Sequence, residues 1–265
     1  MIRRAFTLLE LLVVIALVAI LVGILVPSLK MAKQRTRAVL CRTNLRQFGL
    51  MYQMYGEDNR QSLPAGWNGG TMWMVDLMEY YAGTDDVRLC PSATTFLHTI
   101  PGNTPSTFTA WGKYGHPNYY SGWIPPWGRK DQYGSYGVNG WAHNPPDTGV
   151  PGTYNIPPEN TPLYWRTVHA RGAVQVPLMG DCLWDGSEPR EGDVPPPTKG
   201  LQVQASGMSD FCIDRHQGWI NMLFLDFSSR RVGLKELWQL PWHTQWDYSI
   251  AHPQWPEWMQ SYRDF

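Results

Sequence analysis

The hydrophobic pattern of this chain is concentrated near its beginning. Residues 6–26 read FTLLELLVVIALVAILVGILV, and the only charged side chain among these 21 residues is that of Glu10. At a helical rise of about 1.5 Å per residue the run spans about 31 Å, which matches the roughly 30 Å hydrocarbon core of a bilayer. The pattern predicts a transmembrane helix, because the apolar region of a secretory signal peptide is shorter and ends in a small-residue cleavage site.

An amphipathic helix is predicted to continue this segment as far as Tyr55. Apolar positions recur at spacings of three and four residues and therefore share one face; they are Ala38, Cys41, Leu45, Phe48, Tyr52 and Tyr55. The opposite face is basic and carries Lys33, Arg37, Arg42 and Arg46. Such a helix packs its apolar stripe on a globular part. The alternative is a helix that lies on a lipid surface.

From Gly56 onward the pattern changes to short elements joined by long loops. This part holds 21 of the 22 prolines and 23 of the 25 glycines. We predict one short helix over 72–82, loops and short strands over 91–177, and strands over 176–182, 210–216, 219–226 and 231–237. The predicted fold class is α+β: a long N-terminal helix packed on a C-terminal antiparallel sheet with long Pro/Gly-rich loops.

Glu10 is unusual because it lies about one helical turn inside the apolar run. A carboxylate at that depth costs about 3 kcal/mol or more unless it is paired or neutralised. One interpretation is that Glu10 lies near the membrane edge and reaches water or is protonated. The other is that the chain is cut between Ala5 and Phe6, so that the new ammonium group of Phe6 pairs with Glu10 of an adjacent subunit.

The segment RRAFTLLE, from Arg3 to Glu10, resembles the prepilin signal of type IV pilins and type II secretion pseudopilins. The resemblance implies cleavage between Ala5 and Phe6, N-methylation of Phe6, Glu10 as the glutamate required for assembly, and Pro27 as the helix-kinking proline. Most members of the family carry Gly where this chain has Ala5, so slower cleavage is expected. The implied partners are a prepilin peptidase, an inner-membrane assembly machinery and other pilin-like subunits.

The resemblance also implies a division of the chain into three parts. These are a leader peptide (1–5), a transmembrane and spine helix (6–55) and an extracytoplasmic pilin-like head (56–265). The protein is then expected in the inner membrane with a single span, and its head in the periplasm or on an extracellular filament.

The distribution of basic residues disagrees with that topology. Only Arg3 and Arg4 precede the apolar run, whereas six Lys and Arg residues follow it before residue 47. The positive-inside rule would place the following segment in the cytoplasm. We give more weight to the resemblance, because the leader must reach a peptidase at the cytoplasmic face.

Charge and aromatic content restrict the partners of the chain. Lys and Arg number 22 and so do Asp and Glu, so the net charge is zero and no nucleic-acid partner is expected. The 14 tryptophans either fill the core or line a face that binds glycan or a secreted substrate. Core positions are the commoner use.

The four cysteines, Cys41, Cys90, Cys182 and Cys212, form no CxxC pair and no zinc-finger spacing. Their even number permits two disulfides outside the cytoplasm, with three pairings open. We predict that Cys182 and Cys212 lie close together, because both fall on predicted late strands. Cys41 and Cys90 would then form a second pair joining helix to head.

The segment 214–226 resembles the C-terminal His-x9-Asp-Gly region of large pilin-like proteins from planctomycete- and verrucomicrobia-type bacteria. His216 and Asp226 keep the spacing, but Phe227 stands where that family has Gly. A His and an acid could act as a base and its orienting group. No nucleophile motif and no set of metal ligands accompanies them, so roles in turns are favoured and no catalytic residue is predicted.

A Pro/Gly-rich loop that precedes this segment carries an acidic cluster, which comprises Asp181, Asp185, Glu188, Glu191 and Asp193. Oxygen-rich loops suit calcium, and major pseudopilins that this chain resembles often hold calcium in the head. The cluster has no fixed ligand spacing, so a solvated loop is favoured and no metal or other cofactor is predicted.

The sequence therefore predicts a pseudopilin or minor pilin that assembles into a type II secretion pseudopilus or a type IV pilus-like fibre, without enzymatic activity. The main alternative is a membrane-tethered, Trp-rich binding module for glycan or a secreted substrate. An envelope hydrolase using His216 and Asp226 is the third hypothesis.

Overall fold

The computed structural model describes residues 8–66, 73–81, 84–96, 105–112, 133–145, 158–200, 203 and 206–264. It confirms an α+β fold with antiparallel strands. The helices are α1 (Leu8–Asp58), α2 (Trp73–Asp76), α3 (Met78–Tyr81), α4 (Gly207–Phe211) and α5 (Glu257–Gln260). The strands are β1 (Thr95–Phe96), β2 (Thr109–Gly112), β3 (Tyr133–Gly134), β4 (Tyr136–Asn139), β5 (Pro177–Asp181), β6 (Gly186–Ser187), β7 (Trp219–Phe224) and β8 (Ser229–Gly233). Short 3-10 helices cover Asp85–Arg88, Pro158–Leu163 and Glu236–Gln239.

Helix α1 contains 51 residues in one piece. At about 1.5 Å per residue it is about 77 Å long. Every side chain over 8–33 is exposed, and burial begins only in the second half of the helix. The predicted apolar stripe is confirmed there, since Cys41, Leu45, Phe48 and Tyr52 are all buried. The helix ends at Asp58, three residues later than predicted.

The main sheet has the strand order β6-β4-β5-β7-β8. The pairs β4–β5, β5–β7 and β7–β8 are antiparallel, while β4 and β6 are parallel. A smaller sheet has the order β1-β2-β3, with β1 parallel to β2 and β2 antiparallel to β3. Strands β7 and β8 pack against the second half of α1.

Close contact between α1 and the β7–β8 hairpin depends on Gly49. A Cβ atom at this position would lie 3.1 Å from both Leu223 Cδ1 and the Phe227 carbonyl oxygen. Two side chains of the hairpin also bond to helix carbonyls: Asn221 Nδ2 donates to Ala38 (3.0 Å), and Ser229 Oγ donates to Arg42 (3.2 Å). The head therefore holds the helix by packing and by hydrogen bonds.

The core contains most of the aromatic side chains that the structure describes. Phe48 of α1 contacts Trp73 and Tyr136 edge to face, with ring centroids 5.3 and 6.2 Å apart. A second cluster lies on the far side of the main sheet and is built around Trp141, Phe211 and Trp242. Every tryptophan in the described ranges is buried or half-buried. Six of them lie in the buried core and four more pack against it, which confirms the core use for these ten; Trp219 belongs to neither core cluster.

Three predicted elements differ from the structure. The strand expected over 210–216 is wrong: α4 covers Gly207–Phe211, and a turn follows it. Both edges of β5 are occupied by β4 and β7, so the segment could not pair there. The helix expected over 72–82 is split into α2 and α3, and the strand expected over 231–237 ends at Gly233.

Candidate functional site

The first candidate site is the exposed half of α1. It is the one described helix that is long and apolar enough to cross a membrane, and its most apolar 18-residue window has a mean hydropathy of 3.2 with none of it buried. Glu10 lies near the start of this half and is exposed. The predicted processing residues, Ala5 and Phe6, lie outside the described residues.

Pro27 lies inside α1, and the helix continues through it. A proline has no N–H, so it leaves the carbonyl of Gly23 without its usual helical donor. One residue further on, Ser28 Oγ donates to the carbonyl of Ile24 at 3.0 Å. The helix therefore has one missing backbone hydrogen bond at the end of its apolar run.

The second candidate site is a buried polar cluster between α1 and the sheet. Asp181, the last residue of β5, is fully buried at its centre. Its carboxylate accepts hydrogen bonds from Arg215 Nη1 (3.0 Å) and from the backbone N–H of Asn221 (2.9 Å). His216 Nε2 lies 3.1 Å from the same carboxylate. These contacts hold the pKa of Asp181 well below its usual range even though burial acts to raise it.

Arg215 connects the cluster to three backbone segments. Its guanidinium donates to the carbonyl oxygens of Ser135 (2.6 Å), Thr107 (2.8 Å) and Cys182 (3.1 Å), as well as to Asp181. The side chain is completely buried. Buried arginine is tolerated only where its charge is paired and its N–H groups are bonded, and both conditions hold here.

Two thiols complete the cluster. Cys41 Sγ, from α1, lies 3.5 Å from each carboxylate oxygen of Asp181. Cys90 Sγ lies 3.6 Å from His216 Nε2. Burial acts to raise the pKa of Cys90, but hydrogen bonds from Cys41 and His216 and the charge of Arg215 lower it to about 6. Burial acts to lower the pKa of His216, and the Asp181 carboxylate raises it to about 10.

The four cysteines are free thiols in this structure, and neither of the two expected pairs is bonded. The prediction that Cys212 lies on a strand is wrong. Cys212 follows α4, and its thiol contacts Met259 Sδ at 3.8 Å. Cys182 follows β5 and belongs to the same buried cluster of side chains as Cys212. Cys41 and Cys90 come together, and they do so beside Asp181 and His216.

The structure separates the two residues of the predicted His-x9-Asp motif. His216 is buried against Asp181, whereas Asp226 lies in the exposed turn after β7. Asp226 Oδ1 accepts hydrogen bonds from the backbone N–H (3.0 Å) and the hydroxyl (2.6 Å) of Ser228. Asp226 therefore serves in a turn, which is the role favoured for it. His216 contacts Asp181, so the base–acid pair with Asp226 that the hydrolase hypothesis requires does not form.

The acidic cluster of the sequence is also divided. Asp181 belongs to the buried centre, while Asp193 accepts hydrogen bonds from the backbone N–H groups of Arg190 and Met208. Glu191 Oε2 lies 3.2 Å from His243 Nε2. These carboxylates therefore serve separate local contacts, and among the described residues they do not converge on one calcium site.

A cleft of about 850 Å³ opens beside the buried cluster. Its walls include the α1 residues Arg35, Arg37 and Arg42 and, from the head, Lys199 and Arg231. Part of the basic face of α1 is therefore turned toward the head. His216 and Arg215 line the inner end of the same cleft.

An exposed apolar helix joined to an α+β head defines a membrane-anchored protein. Residues 1–26 match the family model described as the prokaryotic N-terminal methylation motif. The N-terminus of the chain is thus similar to that of type IV prepilins, which supports the general class that its sequence predicted. No curated protein and no solved structure gives a match.

Proposed function

We propose that this chain is a prepilin-type filament subunit, either a pseudopilin or a minor pilin. The observation that carries the proposal is the combination of the methylation motif at 1–26 with a helix whose residues 8–33 are all exposed. In a filament these apolar side chains pack against the helices of neighbouring subunits. The head remains attached to the second half of α1 and forms the outer surface.

In this proposal, assembly places Glu10 beside an ammonium group of a neighbouring subunit. Cleavage between Ala5 and Phe6 would create an ammonium group at Phe6, four residues before Glu10 in the sequence. Between neighbouring helices that are staggered axially the two groups meet, and the pair removes the cost of a carboxylate in an apolar bundle.

The described residues give less support to the two other functions. A Trp-lined binding face is not favoured, because every described tryptophan is buried or half-buried. The side chain of His216 is only 3% exposed and faces Asp181, so it is poorly placed to act on a substrate. We therefore propose a structural subunit without catalytic activity, and kinship with the His-x9-Asp-Gly pilin-like proteins remains part of this proposal.

Processing of the N-terminus is the first test. In cells with an active prepilin peptidase, the intact mass of the protein from native membranes should equal that of residues 6–265 plus one methyl group. The variant Ala5→Leu should keep the full-length mass, because a large side chain replaces the small residue that the peptidase requires. Recovery of only the full-length wild-type chain in such cells would contradict the proposal.

The proposed location is the inner membrane, with the head in the periplasm or on an extracellular filament. All four native cysteines are buried, so a new surface cysteine gives a clean reporter. Val174, which is 57% exposed, is a suitable position. We expect Val174→Cys to react with a membrane-impermeant maleimide on intact spheroplasts, while the wild-type chain gives only background labelling. Labelling of Val174→Cys only after lysis would show that the positive-inside rule prevails and that the head is cytoplasmic.

A further inference from the structure

The four ligand-type side chains of the buried cluster converge on one point. Cys41 Sγ, Cys90 Sγ, His216 Nε2 and a carboxylate oxygen of Asp181 all lie within 4.8 Å of one another. Three of these residues are buried and the fourth, His216, has a side chain that is 3% exposed. We propose that these four side chains form a structural zinc site that fastens the spine helix to the head.

The distances fit the tetrahedral coordination of zinc. With Zn–S bonds of about 2.3 Å and Zn–N or Zn–O bonds of about 2.1 Å, neighbouring ligand atoms lie about 3.3–3.8 Å apart. The separations here are 3.5 Å between Cys41 Sγ and Asp181, 3.6 Å between Cys90 Sγ and His216 Nε2, and 3.1 Å between His216 Nε2 and Asp181. No two of the four ligand atoms are more than 4.8 Å apart. Tetrahedral coordination therefore requires the most widely separated pair to approach by at most about 1 Å.

The chemical character of the ligands favours zinc among the common divalent ions. Thiolate and imidazole ligands suit zinc, whereas magnesium and calcium take oxygen ligands. Two thiolates and one carboxylate carry three negative charges. The two positive charges of the zinc ion and the one of the Arg215 guanidinium balance these three negative charges. The completed site therefore has no net charge in the protein interior.

Binding replaces protons with a metal ion. The close contacts of Cys41 with Asp181 and of Cys90 with His216 each need a proton between two acceptor atoms. Zinc takes up the lone pairs of the four atoms, and the displaced protons pass to solvent. No change of oxidation state is involved.

The surroundings of the ligands resemble those of a second coordination shell. Arg215 and the backbone N–H of Asn221 both donate to the Asp181 carboxylate and fix its orientation. The cleft beside α1 reaches His216, and a separate surface cleft reaches Cys90. These clefts give the ion a route to the site.

The four ligands come from distant parts of the chain. Cys41 belongs to α1, Cys90 follows the 3-10 helix Asp85–Arg88, Asp181 ends β5, and His216 precedes β7. One ion at this point therefore links the spine helix to three separate segments of the head. The inference is independent of filament assembly, since it concerns how a single subunit is held together.

Metal content of the full-length chain is the test. The protein, purified in detergent under reducing conditions and dialysed against zinc chloride, should hold one zinc ion per chain by elemental mass spectrometry. Cys41→Ser/Cys90→Ser should lower the retained zinc by at least about tenfold, since loss of an outer partner alone lowers affinity about 10–100-fold. The control Cys212→Ala removes an equally buried thiol outside the cluster and should retain the ion.

Cobalt(II) gives a readout on the wild-type chain that does not depend on whether the double variant folds. Cobalt bound to thiolates in tetrahedral geometry should produce an intense thiolate-to-metal absorption band and strong visible bands, and added zinc should remove both. A folded wild-type chain that retains no zinc and gives no cobalt–thiolate band would overturn the proposal. A Cys41–Cys90 disulfide, found by peptide mapping of protein alkylated in native membranes, would overturn it as well.

Discussion

Replacing Glu10 by Val should leave the chain in the membrane and sharply reduce its entry into filaments. The substitution removes the one carboxylate from an otherwise apolar run, so insertion should be unchanged or improved by up to about 3 kcal/mol. In the filament the ammonium group of Phe6 on a neighbouring subunit would lose its counter-charge in a medium of low dielectric constant. We expect the fraction of the variant recovered in sheared filaments to fall by at least about tenfold, since 1.4 kcal/mol already corresponds to that factor.

Two matched variants separate charge from shape at this position. Glu10→Asp keeps the charge but shortens its reach, and an intermediate loss is expected. Leu11→Val alters the neighbouring exposed apolar residue without touching a charge and should assemble like the wild type. Each variant is co-expressed with wild-type subunits and quantified in the sheared and membrane fractions. Equal incorporation of Glu10→Val and wild type would remove the main physical support for the filament mechanism.

Replacing Arg215 by Met should cause the largest loss of stability in the head. The side chain is fully buried and donates to Asp181 and to three main-chain carbonyl oxygens within 3.1 Å. Met fills similar volume but leaves the Asp181 carboxylate without its guanidinium partner and the three carbonyls without these donors. Removal of one partner of a buried ion pair costs about 3–5 kcal/mol. That is a large part of the total stability of an ordinary domain, about 5–15 kcal/mol.

The control for Arg215→Met is Arg231→Met, which makes the same chemical change at an exposed position of β8. That variant should change the free energy of unfolding by no more than about 0.5 kcal/mol. Arg215→Lys keeps the charge but not the forked geometry and should lie between the two. Urea denaturation of the detergent-solubilised chains, followed by tryptophan fluorescence, measures all three. A loss for Arg215→Met no larger than that for Arg231→Met would show that the buried network does not hold the head together.

The parts of the fold that depend on local pattern were predictable from sequence. The apolar run and the stripe through Cys41, Leu45, Phe48 and Tyr52 repeat at helical spacing, and both elements were found. Strands β5 and β7 were also predicted, because each is a short apolar run bounded by turn residues. The segment 210–216 contains only a short apolar stretch, residues 211–213, and forms helix and turn, because β5 already has a neighbour on each side.

The buried cluster was beyond the reach of local pattern. Sequence pattern assigns Asp181 to a solvated acidic loop and predicts no role for Arg215. Their contact joins residues 34 positions apart, and the contact between Cys41 and Asp181 joins residues 140 positions apart. A signal was present in hindsight, since Asp181 directly follows an apolar strand and Arg215 directly precedes His216. Asp181 and Arg215 come into contact because β5 pairs with β7, and this pairing is not visible in the local sequence.

Helix α1 is synthesised long before the strands β7 and β8 that pack against it. Helix α1 emerges from the ribosome first, but its main neighbours, β7 and β8, begin only at Trp219. The hydrogen bond between Asn221 and Ala38 spans 183 positions. The part of α1 that faces β7 and β8 therefore stays uncovered by them until most of the head has been synthesised. Closure of β7 and β8 over α1 is then a late and slow step of folding, because contacts between distant parts of a chain form last.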